Sequence, residues 1–264
     1  MKKMRAIYNR WTESDVQFLS NLGIIVKVGI NRFEIEEDDE RYVKIKNYFS
    51  NKGIIDILFY QYTIEDIESA DYFTIIGWYN CGYPSSKFEK VSYDINKICP
   101  ECKCGREQID SLRLSKISKH GFWSFFAWVA DEFFVSKKNY EEIFAPYGIE
   151  KRDVIKGGKI LEDIYQLVIP VIDEQLDLSY MKYNICPTCG RIKYNPYIPE
   201  YAYFPLHKNP MHGIYKTKEY FGEGWVADHR IIICKDIVNK LIQSKDLRYD
   251  FLIPCKRFES DEVL

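Results

Sequence analysis

Alternating apolar and polar positions predict several β-strands in the first eighty residues of the chain. The segment GIIVKVGINRFEIEE, residues 23–37, has the alternation of a strand with one buried face. The runs IIDILFYQY, residues 54–62, and FTIIGWY, residues 73–79, are apolar nearly throughout and are typical of buried strands.

Helical spacing fills the intervals between these strands. Residues Asp38–Phe49 are predicted to form a helix that ends before a turn at Gly53. In TIEDIESADYF, Thr63 lies three residues before Asp66, which is close to the pattern of a capping box. We therefore expect residues 1–95 to form an N-terminal α/β region.

The tetrapeptide Trp-Val-Ala-Asp occurs twice, at residues 128–131 and 225–228. Each copy follows a Cys-Pro-x-Cys sequence by some tens of residues and precedes an apolar strand, a small polar residue and an amphipathic helix. The shared order indicates an internal duplication. We expect an α+β fold in which residues 96–264 form a duplicated strand–helix module, with copies at about 96–175 and 183–264. Convergence of two unrelated β–α units is the alternative, because the spacing between the shared features differs.

Two Cys-x-x-Cys pairs carry the strongest chemical signal in the sequence. Proline starts each turn and a nearby glycine relieves backbone strain after it, so that both thiolates face one point. Zn²⁺ takes four tetrahedral thiolate ligands, and two such turns supply them. We predict a closed, structural Zn²⁺ site with no position left for a catalytic water, formed by Cys99, Cys102, Cys186 and Cys189.

Three other interpretations of these cysteines stay open. Each pair binds its own metal, completed by Cys81, Cys104 or a histidine; or the pairs are redox dithiols; or they have lost their metal. A redox role is disfavoured because the second turn lacks the strand–CxxC–helix context of thioredoxin. Cys104 either replaces Cys102 as a ligand or remains a free thiol.

The charge balance argues against nucleic acid as the partner. The formal net charge is −2 at pH 7, whereas phosphate contacts give nucleic-acid binders a basic excess. Aromatic residues make up 16% of the chain and include 21 tyrosines, a residue type enriched in protein–protein contacts. The basic N-terminus lacks the apolar run of a secretory signal and no stretch is long enough to cross a bilayer, so we expect a cytoplasmic protein without a membrane partner.

The repeated tetrapeptide itself suggests structural roles. Trp128 and Trp225 are expected to anchor the cores of the two copies. Asp131 and Asp228 have two interpretations: a catalytic carboxylate pair, or residues that end a turn and accept backbone N–H groups. The second interpretation requires no further catalytic partner and is preferred.

No catalytic or cofactor-binding residue is predicted. His207 and His212 lie close together but lack the acidic partner and the helical spacing of a zinc hydrolase, so we expect them in an exposed loop. His229 follows the second tetrapeptide where the first copy has Glu132, which makes a ligand role unexpected. The Gly157–Gly158 pair is predicted to be a turn, because no phosphate-loop pattern surrounds it.

The two CPxCG turns, each leading into a strand, a small capping residue and a helix, resemble those of the double-CXXCG motif proteins. The resemblance covers Cys99–Gly105 and Cys186–Gly190. The first turn differs from the motif, because Lys103 and Cys104 stand before Gly105. This bacterial family is associated with immunity proteins that lie beside polymorphic toxins, and the resemblance implies such a role here.

These observations predict a zinc-stabilised, cytoplasmic protein-binding module that blocks a protein partner, such as a toxin, with an aromatic-rich surface. A nucleic-acid-associated zinc-knuckle protein is the first alternative. An enzyme of unknown reaction that uses Asp131, Asp228 or His229 is the second.

Overall fold

The computed structural model describes residues 1–75, 82–85, 88–117, 124–125, 131–172, 176, 178, 181–195, 204–206 and 213–257. The chain is a mixed α+β protein that divides into two compact units. The first comprises Met1–Ser69 with residues 199–202, and the second comprises Ala70–Ile198 and Tyr203–Leu264.

The first unit contains a three-stranded antiparallel sheet and three helices. Its elements are β1 (Lys2–Trp11), α1 (Glu13–Asn21), β2 (Gly29–Glu36), α2 (Glu40–Tyr48), β3 (Ile55–Gln61) and α3 (Ile64–Ser69). The strand order is β2-β1-β3. The sequence predicted β2, α2, β3 and α3, but it predicted neither β1, which is the central strand, nor α1.

Aromatic residues hold the helices of the first unit to its sheet. The ring of Trp11 on β1 contacts those of Phe33 and Phe49 at centroid distances of 5.7 and 5.4 Å. Thr12 and Asp15 form a capping box at the start of α1, and Asp39 caps α2 by accepting from the Arg41 amide. The caps that start α1 and α2 are therefore local features of the sequence.

The second unit is built mainly from short strands. Its strands are β4 (Tyr72–Ile75), β5 (Gly82–Pro84), β6 (Arg113–Ile117), β7 (Ser124–Phe125), β8 (Phe134–Ser136), β9 (Glu150–Lys156), β10 (Lys159–Val168), β11 (Tyr183–Ile185), β12 (Ile192–Tyr194), β13 (Phe204–Leu206), β14 (Ile214–Lys216), β15 (Tyr220–Phe221), β16 (Ile231–Cys234) and β17 (Leu252–Arg257). Its α-helices are α4 (Phe88–Ser92), α5 (Lys137–Asn139) and α6 (Lys235–Gln243). A π-helical turn, Tyr140–Phe144, and 3₁₀ turns at Ala145–Tyr147 and Tyr249–Phe251 complete the set.

These strands form three sheets. The six-stranded sheet has the order β5-β6-β9-β10-β8-β7, the five-stranded sheet the order β13-β17-β4-β16-β14, and the three-stranded sheet the order β11-β12-β15. Strand β4 lies before the boundary that the sequence predicted at residue 95, yet it pairs antiparallel with β16 and β17 from the C-terminal part of the chain. The Gly157–Gly158 turn joins β9 to β10, as predicted.

Each Trp-Val-Ala-Asp segment is followed by a strand and a helical segment. The predicted amphipathic helix is a regular α-helix only in the second copy, because the first has a three-residue α-helix that continues as the π-helical turn Tyr140–Phe144. Strand β8 leads into α5, where the Ser136 hydroxyl accepts the Asn139 amide as an N-cap. Strand β16 leads into α6, which buries Ile237, Val238 and Leu241. Residues 128–130 lie outside the described residues. Within the described ranges, no helix combines the length and the apolar character needed to cross a membrane.

Candidate metal centre

The first cysteine turn is a tight loop closed by backbone hydrogen bonds. The Lys103 amide donates to the Cys99 carbonyl at 3.0 Å, and the Cys99 amide donates to the Cys104 carbonyl at 2.9 Å. Lys103 has φ +64°, in the left-handed region that favours glycine. Lys103 thus occupies the place at which the sequence pattern called for a glycine.

The second turn repeats this geometry. The Gly190 amide donates to the Cys186 carbonyl at 2.9 Å, and the Cys186 amide donates to the Arg191 carbonyl at 3.0 Å. Gly190 has φ +72°. The hydrogen bonds therefore align Lys103 with Gly190 and Cys104 with Arg191, and each turn directs two thiols to the same side.

The two turns bring four thiols together. The Sγ atoms of Cys99 and Cys186 are 3.7 Å apart, those of Cys102 and Cys189 are 3.6 Å apart, and all four lie within 4.8 Å of one another. A tetrahedron of sulfur atoms about 2.3 Å from a central Zn²⁺ has edges of about 3.8 Å. The separations are far beyond a disulfide bond of about 2.05 Å. This cluster can hold a metal ion.

The thiols differ in their readiness to ionise. Backbone hydrogen bonds from Cys102 lower the pKa of the Cys99 thiol to about 6. Burial raises the pKa of Cys102 and of Cys189 to about 11. Thiolate is the form that binds metal, so metal binding at this cluster would release protons from the thiols whose pKa is raised.

Cys102, and not Cys104, belongs to the four-thiol cluster. Cys104 is fully buried beside the cluster against Ala227, and burial raises the pKa of its thiol. The seven described cysteines form no disulfide among themselves. Cys81, one of the alternative ligands, lies outside the described residues.

Two cations from the second turn and its strand bind the backbone of the first turn. Arg191 donates from Nη1 to the Cys104 carbonyl at 3.2 Å. Lys193, which is buried, donates from Nζ to the carbonyls of Cys102, Gly224 and Val226 at 3.2, 2.7 and 3.1 Å. Lys193 therefore links the first cysteine turn to the loop that contains Trp225.

Trp225 is exposed, so its prediction as a core anchor is wrong. The side chain is 79% exposed, and the Lys103 ammonium lies 4.6 Å from the centre of its ring. Trp225 lies in a tight loop from Gly222 to Val226, where a Cβ at Gly222 would lie 2.3 Å from the Val226 carbonyl oxygen. Residues 223–226 of this loop are all exposed, so the tryptophan is part of a surface loop and not of a core. Trp128, its counterpart, lies outside the described residues.

The two repeated aspartates meet at one buried arginine. Nη2 of Arg106 donates to the carboxylates of both Asp131 and Asp228, the second at 3.1 Å. Burial alone would raise the pKa of Asp131, but the charges of Arg106 and Lys216 outweigh it and hold that pKa below its usual range. Burial, reinforced by Asp131, raises the pKa of Asp228. Both carboxylates bind a side chain, and Asp131 also accepts the backbone amide of His229 at 3.4 Å, so the preferred prediction of backbone partners is confirmed for Asp131 but missed the shared arginine.

The ion network extends from Asp131 to its neighbour Glu132. Lys216 lies 3.6 Å from Asp131 and 3.2 Å from Glu132. The Glu132 carboxylate also accepts from the Tyr93 hydroxyl at 3.1 Å and from the Gln166 side-chain amide at 2.6 Å. Such a network is costly to bury, and every described charge in it has an opposite charge beside it.

His229 connects this network to the metal centre. Its amide donates to Asp131 at 3.4 Å and its ring lies 4.4 Å from the ring of Tyr220. The Tyr220 hydroxyl in turn accepts the amide of Gly105, next to the first cysteine turn, at 3.1 Å. Burial lowers the pKa of His229. His207 and His212 lie outside the described residues.

The sequence pattern identified the four thiols but missed the cations around them. Nothing in the local sequence singles out Arg106 or Lys216. Lys193 follows Ile192 on β12, and the usual alternation would bury the isoleucine rather than the lysine.

The chain matches no known family model, no curated protein and no solved structure. The resemblance to double-CXXCG proteins therefore stays a prediction.

Proposed function

We propose that Cys99, Cys102, Cys186 and Cys189 bind one Zn²⁺ ion that fastens the two cysteine turns together. The observation that carries this proposal is the spacing of the four sulfur atoms, which suits a single tetrahedral ion. Four thiolates are the set that Zn²⁺ takes in structural sites, and they leave no coordination position for a substrate. The ion then stabilises the fold rather than performing a reaction.

We further propose that the zinc-stapled region binds a protein. Large apolar side chains are exposed on the elements beside the second cysteine turn, and we call them the knuckle surface: Tyr183, Ile185, Ile192, Trp225 and Val226. Exposed aromatic and aliphatic groups of this kind are typical of protein–protein contacts. The metal supports this surface, because Lys193 ties the Trp225 loop to the first turn.

The resemblance to double-CXXCG proteins suggests that the proposed partner is a toxin. An immunity protein neutralises a toxin by covering it, which requires a surface and no catalytic group. Reduced thiols fit a cytoplasmic location, where disulfides are rare. The common geometry of the two turns and the convergence of Asp131 and Asp228 support an origin by duplication of one module.

The metal part is tested by elemental analysis of the purified protein. We expect one Zn²⁺ per chain in the wild type and loss of that zinc in Cys189→Ser. Cys234→Ser is the matched control, because Cys234 is a free, buried cysteine outside the cluster. Zinc at two ions per chain, or retention of zinc by Cys189→Ser, contradicts the shared site.

The binding part is tested by capturing partners from the native host with zinc-loaded bait. We expect the wild type to retain a specific protein that Trp225→Ser loses. Ile160→Ser is the control, because Ile160 is an exposed apolar residue on β10, at a distance in sequence from both turns. Equal capture by both variants, or capture of nucleic acid that falls with rising salt, contradicts this function.

A further inference from the structure

A cavity of about 230 Å³ lies beside the ion network of the second unit. Part of its lining is apolar and comes from Leu167, Val168 and Ile169, at the end of β10. Another part carries three cationic side chains, those of Arg106, Arg152 and Lys216. A water molecule occupies about 30 Å³ of liquid, so the cavity has room for a small organic molecule.

The acidic groups in the lining are already engaged. Both oxygens of Asp131 and of Glu132 take part in the network described above. Glu107 forms an ion pair with Lys97. A ligand that relied on hydrogen-bond acceptors in this cavity would have to compete with bonds that the protein already makes.

The cationic groups, by contrast, have donors to spare. The Arg152 side chain, half-buried on β9, forms no hydrogen bond or ion pair with any residue that the structure describes, although its charge contributes to lowering the pKa of Asp110. Arg106 binds both aspartates through Nη2 alone, which leaves Nε and Nη1 without a described acceptor. Planar guanidinium groups with free N–H donors match the oxygens of carboxylates and phosphates.

We propose that this cavity binds a small molecule that carries an oxyanion, a carboxylate or a phosphate, on a short apolar body. Arg152 is the principal anion-binding residue, and Arg106 donates from its free edge. The apolar wall from Leu167 to Ile169 contacts the body of the ligand. The inference requires neither the bound zinc nor a protein partner, so it can fail without affecting the proposed function.

Titration calorimetry on the zinc-loaded protein tests this site with three probes. Butyrate combines a carboxylate with a short apolar body, inorganic phosphate supplies the alternative oxyanion, and butylamine is the cationic counterpart of the first. We expect saturable binding of butyrate or phosphate, and none of butylamine. Whichever of the two anions binds more tightly identifies the headgroup.

Variants on a single strand then locate the site. Arg152→Gln should weaken anion binding at least tenfold, and Arg152→Lys, which keeps the charge but loses the planar fork, should weaken it less. Lys156→Gln removes an exposed charge from the same strand and should leave binding unchanged. The absence of saturable anion binding, equal binding by Arg152→Gln and the wild type, or equal weakening by Lys156→Gln would overturn the proposal. If Arg152→Gln does not fold, the comparison of Arg152→Lys with Lys156→Gln decides.

Discussion

Asp131 and Asp228, the final residues of the two identical tetrapeptides, bind the same nitrogen of Arg106. The two carboxylates belong to segments far apart in the sequence, and one guanidinium joins them. Burying an arginine costs free energy, because the guanidinium loses its water. Two buried carboxylates beside it offset most of that cost, but only while both are present. This shared arginine gives the repetition of the aspartate a physical reason.

Arg106→Gln should destabilise the second unit strongly. The substitution leaves Asp131 buried without its closest positive charge, and breaking a buried pair in this way costs about 3–5 kcal/mol. Urea unfolding at neutral pH measures the loss. Arg113→Gln is the control, because its partner Asp110 is half exposed and the pair is worth about 1 kcal/mol or less. Equal costs for the two variants would show that the shared arginine contributes no more than a surface pair.

Acid should reduce the cost of Arg106→Gln. In the wild type the pKa of Asp131 is held below its usual range, so its contribution is present above the ordinary aspartate pKa and is lost only in strong acid. In the variant, burial without Arg106 raises the pKa of Asp131, so this carboxyl takes up a proton at a higher pH than in the wild type. The difference between the two unfolding free energies should therefore shrink as the pH falls from 7 to 4. A difference that stays constant over this range contradicts the assignment.

The thiol cluster could be predicted because its signals are local. Proline, two cysteines and a residue with positive φ fix each turn within a few positions, and a cluster of four thiols is a set of ligands that can hold a metal ion. Arg106 and Lys193 could not be predicted, because their partners come from segments distant in the sequence. Lys193 is buried and its neighbour Ile192 is exposed, the reverse of the usual alternation. The lysine can be buried because backbone carbonyls accept hydrogen bonds from its ammonium in place of water.

The missed elements of the first unit have a similar explanation. Strand β1 has polar residues on the face that packs against the core. Arg5 and Asn9 alternate there with the buried residues Ile7 and Trp11, so the apolar pattern of a strand is broken. Arg5 is tolerated near the core because it pairs with Glu37 and Asp56. Pairing with two neighbouring strands, which a single-sequence pattern does not contain, decides the structure here.

Gly190→Ala should weaken the second cysteine turn through its backbone conformation alone. A Cβ at Gly190 meets no atom within 4 Å, but φ is +72°, where an L-residue other than glycine costs about 1 kcal/mol. Zinc affinity, measured by competition with a chelator, should fall by several-fold. Gly190→Asn should fall less, because asparagine tolerates this region better. Equal losses for both variants would point to a side-chain effect instead.

Lys193→Met should loosen the Trp225 loop. The substitution removes the ammonium donor from three backbone carbonyls, and a lost hydrogen bond to a charged group costs about 1.5–3 kcal/mol. Amide hydrogen exchange in residues 222–226 should become faster while the zinc content stays at the wild-type value. Lys182→Met, which removes an exposed lysine just before β11, should leave that exchange unchanged. Unaltered exchange in Lys193→Met contradicts the proposed link between metal centre and loop.

Acid should weaken the start of α1 in the first unit. Burial alone would raise the pKa of Asp15, but hydrogen bonds from Lys52 and Thr12 outweigh it and lower that pKa to about 2. Because the folded pKa is depressed, this contribution, up to about 2 kcal/mol, is present above pH 4 and is lost as the pH falls towards 2. Hydrogen exchange of α1 amides at pH 6 and pH 3 measures the change. Asp15→Asn should be less protected at pH 6 and should approach the wild type at low pH, whereas Glu13→Gln, an exposed acid in the same turn, should follow the wild type throughout. A constant gap between wild type and Asp15→Asn across this range would mean that the carboxylate charge does not stabilise the cap.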